Sequence, residues 1–185
     1  MIIEEIKIEE FEKNIYDKYI TLFPEEEQRD WNMIQDAYKR GLERFYKIID
    51  NDEIIGFFML EKIDDTCPYY LDYFAIYKEK QNSGLGTLAI KALLEKIIGD
   101  NNELCIEIEK ENEKNPITLR RAEFYKRLGF KRVDSEYILY NVSYTPYIYT
   151  RKEKPEKEMI DSVMFKYYFA NCGKEEAQKN CKKVK

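Results

Sequence analysis

The sequence predicts an α/β fold, and three observations carry that reading. Runs that alternate apolar and polar residues are interleaved with runs of helical spacing. Glycine, proline and Asn/Asp clusters fall between the runs rather than inside them. The 185 residues are 44% hydrophobic and 15% aromatic, enough to build a core and to exclude long disorder.

Ile2–Ile8 reads as a first strand, and Phe11, Ile15, Tyr19 and Leu22 recur at helical spacing, predicting a helix over 9–22. Pro24 with Glu25–Glu27 suits the start of a second helix, with Trp31, Ile34 and Tyr38 on one side and Gly41 at its end. Residues 43–50 and 53–63 flank Asp50-Asn51-Asp52 as a hairpin. Residues 69–77 form an aromatic, branched strand, and a polar loop, Lys78–Ser83, leads through Gly84-Leu85-Gly86-Thr87 into a helix closed by Gly99. Leu104, Ile106 and Ile108 alternate as a strand. Asn115-Pro116 caps and opens a helix that stops at Gly129. Phe130 to about Ser143 is a strand region interrupted by the loop before Tyr144-Thr145-Pro146; a charged loop over Arg151–Glu158 and a last strand over Met159–Phe169 follow. No repeat or Gly/Ser/Pro linker interrupts the chain, so the expectation is one domain over 1–169 and a polar, basic tail over 170–185, frayed or a short helix.

Composition excludes whole classes of chemistry. There is no histidine, hence no His base, no Ser-His or Cys-His pair and no His-ligated metal. A net charge of −5 argues against a general nucleic-acid partner. The acidic start, MIIEEIKIEEFEK, lacks the basic residues of a signal peptide, and Ile54–Leu60, the longest apolar run, is too short for a membrane span. Cys67, Cys105, Cys172 and Cys181 show neither CxxC pairing nor zinc spacing, so reduced thiols in a cytoplasm, and no metal, are expected.

The glycine loop points to an anion. Glycines let backbone N–H groups approach a ligand, and the helix that begins there aims its free N–H groups and its dipole at the same space. Gly84-x-Gly86-x-x-Ala89 fits a dinucleotide fingerprint, with Glu107 near the place of the ribose acid. That pattern wants its first glycine directly after the strand, however, and six polar residues intervene here. No Gly-Lys-Ser/Thr follows, which rules out a Walker loop.

Taken from Gln81, the loop Gln81-Asn82-Ser83-Gly84-Leu85-Gly86 resembles the Gln/Arg-x-x-Gly-x-Gly/Ala loop of the GNAT superfamily of acyl-CoA-dependent N-acyltransferases. Ala75-Ile76, five residues earlier, matches that family's strand end, and Tyr125 ahead of Gly129-Phe130 matches its second motif. The order of elements agrees from residue 2 to about 168. The resemblance implies a mixed, mostly antiparallel sheet with splayed central parallel strands and helices on both faces. The pantetheine of acetyl-CoA would insert between strands 69–77 and 103–110, held by the backbone of Phe74, Ala75 and Ile76. The N–H near Ile76 would face the thioester oxygen, where a fixed donor is worth several kcal/mol to an oxyanion. Gln81, Asn82, Ser83, Gly84, Leu85, Gly86 and Thr87 would hold the pyrophosphate. Family members usually carry Asn seven residues before the tyrosine. Here the position is Thr118, so Asn115 or the threonine hydroxyl is left to substitute, and Arg121 is placed to reach the cofactor.

Tyr125 takes the family role of general acid toward the CoA thiolate. The acceptor needs the reverse service. An alkyl amine is neutral in only about one molecule in 2,500 at pH 7, a cost of roughly 4.6 kcal/mol. With no histidine, Glu107 is the first choice as base or amine-binding group, with Asp72 second. Tyr137, Tyr140, Tyr144, Tyr147 and Tyr149 crowd the stretch that helps wall the family's acceptor site. Aromatic faces and an acidic balance suit a cationic acceptor. The expected activity is direct transfer of acetyl from acetyl-CoA to a primary amine, on a small molecule or a peptide, without nucleic acid or membrane. The alternative is an acyl-CoA sensor or interaction module without turnover. Monomer and homodimer are both open.

Overall fold

The computed structural model describes residues 1–100, 102–153 and 157–185. The chain divides into two compact units, 1–62 with 71–100, and 63–70 with 101–185.

In the first unit, β1 (Ile2–Ile6) runs antiparallel to β2 (Glu43–Asp50), which runs antiparallel to β3 (Glu53–Glu61). Asn51 and Asp52 both take left-handed φ values, 49° and 64°, the geometry a tight two-residue hairpin demands. β4 (Tyr69–Ile76) follows β3 in the sheet. Three short helices lie between β1 and β2: α1 (Ile8–Asn14), α2 (Tyr16–Leu22) and α3 (Trp31–Lys39). The single helix expected over 9–22 is broken at Ile15, whose buried side chain still belongs to the same core as Phe11 and Tyr19. Glu25–Glu27 form one 3₁₀ turn, and the next helix starts later than expected. Its cap is Asp30, whose carboxylate accepts the N–H of Asn32. Phe11 stacks on Phe45 at 4.4 Å, and Tyr19 meets Tyr73 edge-on at 4.9 Å. α4 (Leu85–Leu93) runs on into one wide π turn, Leu94–Ile98, which Gly99 ends at φ +66°.

In the second unit, β5 (Leu104–Glu109) pairs antiparallel with β8 (Val142–Tyr149), from Leu104↔Tyr149 to Glu109↔Tyr144. α5 (Pro116–Arg127) buries Thr118, Ala122 and Tyr125, and its Asn115 cap accepts the N–H of Ile117 as expected. β6 (Lys131–Arg132) and β7 (Tyr137–Leu139) both pair with β8. Tyr144-Thr145-Pro146 is strand, Pro146 lying opposite Glu107, and the break expected before it falls at the Tyr140-Asn141 turn.

The expected last strand, Met159–Phe169, is a helix, α6 (Lys157–Cys172). Val163, Phe165, Tyr167 and Phe169 alternate like a strand, but the apolar residues that are buried are Ile160, Val163, Met164, Tyr167 and Tyr168, at helical spacing. The preceding charged loop falls partly on residues 154–156, outside the described residues. The C-terminal residues are ordered as α7 (Lys174–Asn180) and β9 (Cys181–Lys183), which pairs antiparallel with β7.

β4 and β5 are the parallel pair of this mixed, mostly antiparallel sheet. Among the described residues their ladder holds two pairs, Tyr69↔Leu104 and Tyr70↔Cys105. Leu71–Ile76 run on beyond it.

Candidate active site

The first unit carries Phe74–Thr87. Gly56 of β3 lets β4 come close: a Cβ there would sit 2.2 Å from the Ala75 carbonyl oxygen. Tyr77 N–H donates to the Ile55 carbonyl at 2.8 Å, holding the end of β4 in place. Gln81 then folds back, its Nε2 donating to the Ile76 carbonyl at 2.8 Å. The Ser83 hydroxyl donates to the Lys80 carbonyl.

Asn82 and Gly84 both adopt left-handed φ, +61° and +84°. Left-handed residues in such a turn are the setting in which successive backbone N–H groups can face an anion. Gly84 is the N-cap of α4, and its carbonyl accepts Thr87 and Leu88 N–H at 3.1 and 3.3 Å. The amides ahead of Thr87 have no earlier helical carbonyl to bond, as at any helix start. The exposed loop residues 81–84 thus lead from the end of β4 straight to a helix N-terminus.

The second unit carries Tyr125, Glu107, Thr118 and Arg121. Tyr125 is buried on α5 and meets Phe130 edge-on at 5.2 Å. Burial pushes its phenol up to about 12, so it stays protonated throughout the physiological range. Thr118 is occupied within its own turn: its hydroxyl accepts Asn112 N–H at 2.9 Å and donates to the Asn115 carbonyl at 2.8 Å. Arg121 pairs with Glu109 at 3.3 Å.

Glu107 is flanked by phenols. Tyr70 donates to Oε1 at 2.8 Å, and Tyr168 donates to Oε2. Burial first, then the charge of Glu107, raises the Tyr168 phenol well above its ordinary value. Tyr168 escaped sequence reasoning because its helix reads as a strand; its one signal is the Tyr167-Tyr168 pair, seven and eight residues beyond Ile160.

Asp72, the second candidate base, is held by Arg29 at 2.7 Å, together with Glu43 and Glu61 of the same unit. The three carboxylates lie within 4.8 Å of one another around that guanidinium. Among the crowded tyrosines, Tyr137 and Tyr147 are core residues, and Tyr137 donates to buried Asp161. Tyr140 sits at the β7–β8 turn with φ +46° and is 52% exposed. Among the described residues no helix is long and apolar enough to cross a membrane.

Residues 41–132 match the acetyltransferase (GNAT) domain. YjbC of Bacillus subtilis, which carries a provisional acetyltransferase name, is 26% identical over 122 residues. That match takes in 66% of this chain and 59% of YjbC, so the chain spans about three fifths of the length of that relative. A GNAT-family protein of Bacteroides thetaiotaomicron, also provisionally named an acetyltransferase, superposes with a TM-score of 0.79 at 20% identity, covering 94% of this chain and 99% of its own. A GNAT acetyltransferase of Elizabethkingia anophelis, solved with acetyl-CoA bound, gives a TM-score of 0.58 at 15% identity, covering 80% of this chain and 95% of its own. Residues 41–132 thus carry the GNAT acetyltransferase family domain.

Proposed function

We propose that the protein transfers an acetyl group from acetyl-CoA to a primary amine, by direct attack in a ternary complex. The observation that carries the reading is the 81–87 turn. Gln81 is tied to the end of β4, Asn82 and Gly84 are left-handed, and α4 opens behind them. This is a main-chain cradle for a diphosphate, which matters in a chain whose net charge is −5. Phe74–Ile76, beyond the last β4–β5 pair, offer backbone groups to the pantetheine.

The amine nitrogen forms a bond to the thioester carbon. The C–S bond breaks with its electron pair on sulfur, and the Tyr125 hydroxyl gives its proton to that sulfur. The proton shed by nitrogen passes to a carboxylate or to water, and the phenol recovers its own from solvent. A phenol at about 12 facing a thiol near 8.5 makes full transfer uphill by roughly 5 kcal/mol. Tyr125 therefore works chiefly by hydrogen-bonding the sulfur as its charge develops. Glu107, whose two oxygens each accept a phenol, suits the binding of a cationic amine better than the role of a strong base.

The test is thiol release from acetyl-CoA with a panel of polyamines, aminoglycosides, amino acids and peptides. Tyr125→Phe is expected to lower turnover at least tenfold while acetyl-CoA affinity stays within twofold. Unchanged turnover removes Tyr125 from the mechanism. Acetyl-CoA binding without thiol release on any amine makes the chain a sensor instead.

A further inference from the structure

Two phenols hold Glu107 by different oxygens. The Tyr70 hydroxyl donates to Oε1 at 2.8 Å, and that of Tyr168 donates to Oε2. A single donor leaves a carboxylate free to turn about its last bond, whereas donors on both oxygens set its plane. The donors are themselves fixed. Tyr168 is 7% exposed, and its ring is edge-on to those of Tyr137 and Phe165 at 6.3 and 6.0 Å. Tyr70 stacks on Tyr167 at 4.9 Å, and the Tyr167 hydroxyl donates to the Pro68 carbonyl, two residues before Tyr70. Neighbouring residues of α6 thus grip the carboxylate from two sides, Tyr168 directly and Tyr167 through Tyr70. All of these residues belong to the second unit, and α6 lies beyond the family domain at 41–132. A buried phenol needs a partner for its hydroxyl, and a backbone carbonyl is enough, as Pro68 is for Tyr167. Tyr168 instead meets a half-buried carboxylate of β5.

We propose that Tyr168 and Tyr70 are positioning residues of the acceptor site: they fix the Glu107 carboxylate in the orientation that receives the ammonium group of the amine, and α6 thereby takes part in acceptor selection. The inference rests on Glu107 as the amine-binding group of the proposed reaction. Both phenols act through Glu107. A carboxylate that is already ordered binds without losing side-chain freedom at that moment, whereas one released by the loss of a donor is ordered only on binding. That deficit is the same for the bound amine and for the transition state, so it falls on amine affinity and KM and leaves kcat alone.

The experiment compares the full chain with Tyr168→Phe, which keeps the ring and removes the hydroxyl. Binding of spermidine, kanamycin and L-lysine is measured by calorimetry, and thiol release from acetyl-CoA is followed with the same amines. The amine that binds best is expected to bind roughly three- to tenfold more weakly to the variant, with a matching rise in KM. Turnover and acetyl-CoA affinity should each stay within about twofold. Tyr70→Phe, on the other oxygen, is expected to act alike and decides the matter where Tyr168→Phe folds poorly. In a Glu107→Gln background Tyr168→Phe should add nothing, because the group it positions is gone. Equal amine binding and equal KM in the variants overturn the proposal and leave acetyl transfer standing. Weakened amine binding in a chain that releases no thiol overturns acetyl transfer and leaves the positioning role. Acetyl-CoA affinity that falls as far as amine affinity, or a loss that persists in the Glu107→Gln background, makes the phenols mere scaffold and overturns the proposal. Binding of none of the three amines overturns it as well.

Discussion

Arg29 meets three carboxylates with one positive charge. Its side chain is 10% exposed, and those of Glu43, Glu61 and Asp72 are 0%, 1% and 14% exposed. Like charges this close in a buried setting do not all ionise. Burial first, then Glu61 and Asp72 working against Arg29, hold the Glu43 carboxyl well above the usual carboxylate range. Tyr73, whose phenol burial also raises, faces the same guanidinium at 5.8 Å. A group whose folded value lies above its unfolded value of 4.5 stabilises fully below that value and loses its contribution as pH rises. Urea unfolding should therefore show stability falling above pH 4.5, by no more than about 1.4 kcal/mol per pH unit from this group. Glu43→Gln, which fixes the neutral form, should flatten that slope. An unchanged slope places the proton on another group. Arg29→Met leaves the carboxylates uncompensated and should cost about 3–5 kcal/mol.

At the scale of elements, the end of β4 depends on a residue it does not contain. Gly56 has an ordinary strand conformation; what it supplies is room beneath Ala75. Gly56→Ala puts a methyl group 2.2 Å from a backbone oxygen, and backbone cannot step aside as a side-chain tip does. The expected cost is about 1–3 kcal/mol. Acetyl-CoA affinity should fall further than in Ile48→Val, whose effect stays within β2. Equal affinities in the two variants would mean that the β4 backbone does not hold the cofactor.

The same elements show how far sequence carried the reading. β2, β3 and the turn between them were legible because Asn51 and Asp52 tolerate left-handed φ and the flanking runs are strongly apolar. The 81–87 loop was legible because glycine and a following helical pattern leave few alternatives. α6 was not: its alternate residues are as apolar as a strand's, and the contacts that decide in favour of helix are tertiary, such as Tyr167 with the Pro68 carbonyl and Tyr168 with Glu107. Glu107 could be singled out as a carboxylate on a central strand. Its two phenol partners lie 37 and 61 residues away along the chain, beyond any local signal.

Across the whole molecule the two units carry opposite pH liabilities. The Glu43 proton sits in the first, whose stability falls as pH rises. In the second, burial works to raise Asp161, but hydrogen bonds from Lys183, Ser135, Tyr137 and Lys157 outweigh it and bring the carboxyl down to about 2. A folded value below the ordinary 3.8 means that this contribution, about 2 kcal/mol, is present above 3.8 and lost as pH falls through 2. The sequence supplies a separate probe for each unit. Trp31, the single tryptophan, lies in the first, and all four cysteines lie in the second. Labelling of the cysteines with a pyridyl disulfide, a reagent that stays reactive in acid, should therefore at fixed low urea show more exposed thiols between pH 4 and pH 2 before Trp31 fluorescence shifts. Above neutral pH, fluorescence should respond first. Asp161→Asn should bring the fraction of exposed thiols at pH 6 to that of the unmodified chain near pH 3, leaving the alkaline fluorescence change untouched. If the two probes move together at every pH, the units unfold as one and the pH liabilities are shared.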